Sequence, residues 1–209
     1  MELDAGKQGK YVSVSELNDY TLNAFVSTED KRFYRHHGLD LKRIGSALIK
    51  NIFSGSYKEG ASTITQQLVR NTVLLDEMTD RSIRRKVREM YIASQVERQY
   101  TKDEILMMYL NTIYYGHGAY GIETAAQTYL SKSAKDLTLA EAALLVGLPN
   151  APSRYDPTVN PDYAIQRRNT VLNRMCSNGK ITEEERDAAQ AVSAISNRSI
   201  SGASSSACL

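Results

Sequence analysis

Three threonines each stand three residues ahead of a glutamate: Thr101 with Glu104, Thr138 with Glu141, and Thr182 with Glu185. That spacing closes a reciprocal pair of side-chain to backbone hydrogen bonds around the first turn of a helix, so it marks where a helix begins. Apolar residues between these starts recur at helical rather than strand spacing. Ser15 is expected to cap an earlier helix through Leu17, Tyr20, Ala24 and Phe25, which delivers Glu29 at or near its end. Gly38 breaks the chain before a second periodic stretch with Leu41, Ile44, Leu48 and Ile52. Gly147 and Pro149 stop the helix that Thr138 opens. No internal repeat or strand pair stands out. The expected fold is mainly α.

At 209 residues the chain suits one domain, or one with a small second lobe, and can bury a sizeable core. A net charge of +2 favours no polyanion in bulk, and aromatic side chains do not interleave the basic clusters, which argues against nucleic acid. Cys176 and Cys208 form no disulfide framework. No apolar run of membrane-spanning length and no secretory signal occurs. Residues 1–10 and 193–209 read as flanks, and residues 54–62 (SGSYKEGAS) as a Gly/Ser loop. The chain reads as a domain from something longer.

Four stretches carry chemistry. In TEDKRFYRHHGLD (residues 28–40) two carboxylates, Glu29 and Asp30, sit within an excess of Lys31, Arg32, Arg35 and two histidines. That is either a solvated helix end or a catalytic carboxylate beside an anion-holding surface. In GASTITQQLVRN (residues 60–71), a cap at Ser62 would place Thr63, Gln66, Gln67 and Arg70 on one helix face. Such a row lines a cleft for a hydroxyl-rich ligand with an anionic end, or packs against a neighbouring loop. In DRSIRRKVREMY (residues 80–91), a cap at Asp80 would stack Arg81, Arg85 and Arg88, with Glu89 one turn beyond Arg85. Like charges at this spacing repel unless an anion or carboxylate meets them. The loop after the Thr101 helix is rich in Tyr and Gly, and its His117 has no neighbours that suggest a metal site.

Together these segments resemble the peptidoglycan glycosyltransferase domain, the family found in class A penicillin-binding proteins and monofunctional glycosyltransferases. The resemblance rests on five ordered motifs over roughly residues 11–175. EDKRFYRHHG carries the first, through Glu29, Asp30, Phe33, His36 and Gly38. GASTITQQ, followed by Arg70 and Asn71, carries the second, and RKVRE the third through Arg85, Lys86 and Glu89. KDEILMMYLNTIYYG carries the fourth through Lys102, Tyr109, Leu110, Asn111, Tyr114 and Gly116, and RRNTVL the fifth through Arg167 and Arg168. Arg70 departs from the family, which often has lysine there.

The resemblance implies a lysozyme-like catalytic lobe with a smaller membrane-facing lobe at about residues 40–60, within a domain spanning 11–192. It implies that Glu29 is the general base for lipid II polymerisation, with Glu89 as a second catalytic carboxylate that orients cations or the donor. Asp30, Phe33, His36, Ser62, Thr63, Gln66, Gln67, Arg70, Asn71, Arg81, Arg85, Lys86, Arg88, Asn111 and Arg168 are implied to bind substrate. No cofactor is required, although a divalent cation (Mg or Mn) is compatible with the chemistry and Asp30 is a candidate ligand. The implied partners are lipid II, the growing lipid-linked glycan, the bacterial membrane and a transpeptidase domain of a longer protein. The implied location is the outer face of the cytoplasmic membrane, anchored by a segment outside this chain. Ser177 and Lys180 form an isolated S-x-x-K without the other transpeptidase signatures. The rival readings are a lysozyme-like peptidoglycan hydrolase or lytic transglycosylase, and a non-catalytic basic membrane-binding module.

Overall fold

The computed structural model describes residues 11–46, 62–80 and 82–192. The expected membrane-facing stretch and the Gly/Ser loop fall largely outside these residues, as does Arg81. The described residues form two compact units that meet along the chain at Glu29 and Thr112.

The first unit runs from Glu29 to Thr112. It begins with the last residue of α1 (Asp19–Glu29), then holds α2 (residues 41–46 as described), α3 (Ile64–Thr72), α4 (Ile83–Gln99) and α5 (Lys102–Thr112). Helix α3 is the centre of the unit and packs on both α4 and α5. Its apolar side buries Ile64, Leu68 and Val69, while Ile105, Leu106 and Leu110 come from α5 and Ala93 from α4. The start of α3 differs from the expectation. Thr63 is the cap, accepting from the Gln66 amide and receiving the Gln66 side chain at its own amide, because the Ser62 hydroxyl is occupied by Lys86. Likewise Ser82, not Asp80, caps α4, and Asp80 instead accepts from the Ser82 amide and hydroxyl.

The second unit joins residues 11–28 to residues from Ile113 onward. The Ser15 cap does not form. Ser13 caps a short 3-10 turn at Val14–Glu16, and Asn18 Oδ1 then accepts the Thr21 amide at the start of α1. After α1 come a hairpin of β1 (Tyr114–Gly116) and β2 (Ala119–Tyr120), then α6 (Ile122–Leu130), α7 (Leu139–Gly147), α8 (Pro161–Ser177) and α9 (Glu183–Ala191). The hairpin was not foreseen. Its turn is made by His117 and Gly118, both with positive φ, a conformation that glycine adopts freely and histidine adopts less often. Apart from Glu141 in its first turn, helix α7 is apolar, and it is largely buried, with α6, α8 and α9 packed against it. The Thr101, Thr138 and Thr182 boxes all form as the sequence spacing requires.

Candidate active site

Two carboxylates in the first unit have opposite surroundings. Glu29 is the last residue of α1 and is half-buried. Its Oε2 accepts a hydrogen bond from Gln67 Nε2 at 2.9 Å, and its backbone carbonyl accepts from Arg43 Nη1 at 2.6 Å. Oε1 makes no hydrogen bond to a described residue. Glu89, in the second turn of α4, is fully buried. Its Oε2 accepts from Arg85 Nη1 at 2.8 Å, and its Oε1 accepts from Gln66 Nε2 at 3.3 Å and from Lys86 Nζ. Two cations and an amide thus enclose Glu89 and satisfy its buried oxygens.

These contacts follow from helix geometry. Gln66 and Gln67 are consecutive, so their side chains leave α3 about 100° apart and reach different carboxylates. Arg85 and Lys86 both lie within one turn of Glu89, so α4 supplies its own counter-charges locally. Arg88, the third member of the expected stack, is largely exposed and pairs with Glu77. Arg70 lies one turn beyond Gln67 on α3, is half-buried, and makes no side-chain hydrogen bond or ion pair among the described residues. Asn71 follows it, also half-buried.

The loop after Glu29 is tied to the start of α3. Asp30 Oδ2 accepts from His36 Nε2 at 2.8 Å and from the Ile64 amide at 3.1 Å. Thr63 Oγ1 donates to the Gly38 carbonyl at 2.7 Å. Phe33 lies buried beneath this loop, with its ring edge-on to His36 and the Lys102 ammonium 4.4 Å from its centre. Arg32 forks onto Asp40, which also accepts the Arg43 amide. Burial alone would push the Asp40 carboxyl up, but the Arg32 and Arg43 donors hold it below the usual carboxylate range.

Several expected contact residues are therefore placed differently. Asp30, Phe33, Thr63 and Gln66 are buried, and His36 nearly so, and Asp30, His36, Thr63 and Gln66 hydrogen-bond within this part of the unit. Asp30 Oδ2 is committed to two donors while its Oδ1 is buried without a hydrogen-bond partner among the described residues, and no cluster of three or more His, Cys, Asp or Glu able to hold a metal occurs among those residues. Asn111 donates to the Met107 carbonyl within α5. Arg168 belongs to the second unit, where it donates to the Val192 and Gln190 carbonyls at the end of α9. Burial lowers its pKa from the ordinary arginine value. His117, also there, pairs with Asp156 at 2.5 Å.

Sequence reasoning gave Tyr109 no role of its own. Its hydroxyl lies 3.2 Å from Gln67 Oε1, and its ring is fully buried in the α3–α5 contact. The available signal was a tyrosine on the same helix face as Ile105, since a phenol placed in a core requires a polar partner.

A mainly α chain with a half-open glutamate at a helix end, facing a glutamine-bearing helix, matches a known family. The family model described as transglycosylase matches residues 1–176, and the chain belongs to that family. It is 46% identical over 179 residues to Penicillin-binding protein 1F of Bacillus subtilis (strain 168), a match covering 86% of this chain and 25% of that protein. To Penicillin-binding protein 1A of Escherichia coli (strain K12) it is 47% identical over 176 residues, covering 84% of this chain and 20% of the relative. The crystal structure of Penicillin-binding protein 1A from Haemophilus influenzae superposes with a TM-score of 0.54 at 27% identity, covering 89% of this chain and 18% of that one. The chain thus spans a quarter or less of the length of these proteins.

Proposed function

We propose that this chain polymerises lipid II into glycan strands, with Glu29 as the general base. The observation that carries the reading is the contrast between the two carboxylates. Glu89 has both oxygens occupied and no exposure, whereas Glu29 is half-buried and keeps one oxygen without a partner among the described residues. A base must reach the proton it removes, and only Glu29 meets that condition.

In the proposed reaction, Glu29 Oε1 takes the proton from the 4-hydroxyl of the incoming sugar. The hydroxyl oxygen forms a bond to the anomeric carbon of the lipid-linked glycan as the bond to pyrophosphate breaks. Undecaprenyl pyrophosphate leaves with the electron pair, and a single displacement inverts the anomeric centre. Arg70 lies one helical turn from Gln67, where a guanidinium fork suits the departing phosphate oxygens. Arg88, and Arg81 outside the described residues, are further candidate cations for the pyrophosphate. Arg85 and Lys86 are held by Glu89, whose part is to fix these cations rather than to transfer a proton.

The proposal extends to a membrane setting, because the undecaprenyl tail keeps the substrate in the bilayer. No helix among the described residues is long and apolar enough to cross a membrane. Anchorage at the outer face of the cytoplasmic membrane, and a transpeptidase partner domain, belong to the proposal for the longer protein.

The test is lipid II polymerisation in vesicles by the chain and its Glu29→Gln variant. The variant should lose about a hundredfold or more in rate, because the amide keeps the size but cannot accept the proton. Near-normal turnover in the variant would remove Glu29 as the base. Shortening of preformed glycan by the unaltered chain would instead favour hydrolysis.

A further inference from the structure

Gln67 lies between two groups of different chemistry. Its Nε2 donates to Glu29 Oε2 at 2.9 Å, and its Oε1 is 3.2 Å from the Tyr109 hydroxyl. An ionised carboxylate offers only acceptors, so the amide must turn its NH2 toward Glu29 and its carbonyl toward Tyr109. The phenol is then the donor to Gln67. We propose that Tyr109 is a positioning residue for the base: its hydroxyl sets the orientation of the Gln67 amide, which in turn aims the Glu29 carboxylate. The inference rests on the reading of Glu29 as the base.

The three groups come from three helices, α5, α3 and α1. Tyr109 is fully buried and α5 packs directly on α3, so the hydroxyl is held by rigid elements rather than by a loop. Without the phenol, the two ends of the amide are nearly equal in shape and a half-turn about its last bond becomes available. The flipped amide would set a carbonyl against the carboxylate, and two acceptors repel. Glu29 would then turn away, and Oε1 would lose its aim at the acceptor hydroxyl. Small misplacements of a reacting group carry large costs in rate. On this account Gln67 acts on the chemical step, and its loss should not appear chiefly as weaker binding.

The experiment measures lipid II polymerisation rates against substrate concentration for Tyr109→Phe, Gln67→Leu and the double variant, with melting temperatures for each. Tyr109→Phe keeps the ring and its packing and removes only the donor. Its kcat should fall about 5- to 10-fold while KM stays within about twofold, the pattern of a lost transition-state contribution. The double variant should be no slower than Gln67→Leu alone, because the hydroxyl acts through the amide. Wild-type kcat in Tyr109→Phe, a rise in KM at constant kcat, or multiplied losses in the double variant would each overturn the proposal. If Tyr109→Phe folds poorly, Gln67→Leu alone decides, and a KM effect without a kcat effect overturns it. Glu29→Gln in the same series separates the two claims. Retained turnover there removes the base and the relay together, whereas lost turnover beside a normal Tyr109→Phe removes only the relay.

Discussion

His36 Nε2 donates to Asp30 Oδ2 at 2.8 Å, and that same oxygen accepts the amide of Ile64, the first residue of α3. One buried carboxylate therefore joins the residue after Glu29 to the helix that carries Gln67. This is why Glu29 and Gln67, far apart in sequence, are held at hydrogen-bond distance.

Replacing Asp30 by Ala should strand a buried backbone amide and a buried imidazole. Each unsatisfied buried donor costs about 1–3 kcal/mol, so unfolding free energy should fall by roughly 2–6 kcal/mol. Urea denaturation of the two proteins at one temperature measures the difference. A variant as stable as the wild type would show that the tie carries little of the unit's stability.

Glu89 and Lys86 should behave unequally although they form one ion pair. Glu89→Gln leaves the mostly buried Arg85 without its counter-charge and should destabilise the chain by about 3 kcal/mol or more. Lys86 has a side chain 38% exposed, and Arg85 and Gln66 still satisfy Glu89 when it is gone. Lys86→Met should therefore cost only about 1 kcal/mol. Equal losses in denaturant titrations would contradict this asymmetry.

Gly38 has φ +81°, and a Cβ there would lie 3.0 Å from the Ala93 carbonyl oxygen. Alanine would meet both a left-handed backbone and a backbone oxygen of α4. Gly38→Ala should destabilise by about 1–3 kcal/mol. Melting should show it directly, and an unchanged transition would mean that the loop relaxes away from α4.

Asp40 supplies a pH dependence with a fixed sign. Burial would raise its pKa, but the Arg32 fork and the Arg43 amide outweigh that and leave it below the ordinary value. A depressed folded pKa gives stability that is complete above the unfolded value, about 3.9, and is lost as pH falls through the folded one. Asp40→Asn should thus be less stable than the wild type at neutral pH, and the gap should narrow once the pH drops below about 4. A gap that stays constant from pH 7 to about 3 would show that the Asp40 charge does not contribute.

Helix starts were legible wherever the signal closed within four residues. The Thr101, Thr138 and Thr182 boxes form as written because each pairs a side chain with a backbone group one turn away, and no distant partner competes. Ser15, Ser62 and Asp80 failed as caps for the complementary reason. Ser62 is engaged by Lys86 from α4, while Ser13 and Ser82 offered better local geometry than their neighbours. The hairpin at Tyr114–Tyr120 was missed because strands this short leave no measurable alternation.

For the site, the sequence determined which residues were present and that Glu29 would close a helix, because motif spacing and helical period are properties of the chain alone. It also placed Arg85 and Lys86 within a turn of Glu89. Only the tertiary structure decided that Gln66 serves Glu89 while Gln67 serves Glu29, that Tyr109 stands behind Gln67, and that Arg168 is bound to the end of α9. Helical period fixes the direction in which a side chain leaves its own axis. What it meets there depends on how helices pack, and that is set by buried apolar faces such as Leu68 against the α5 side chains, many residues away in sequence.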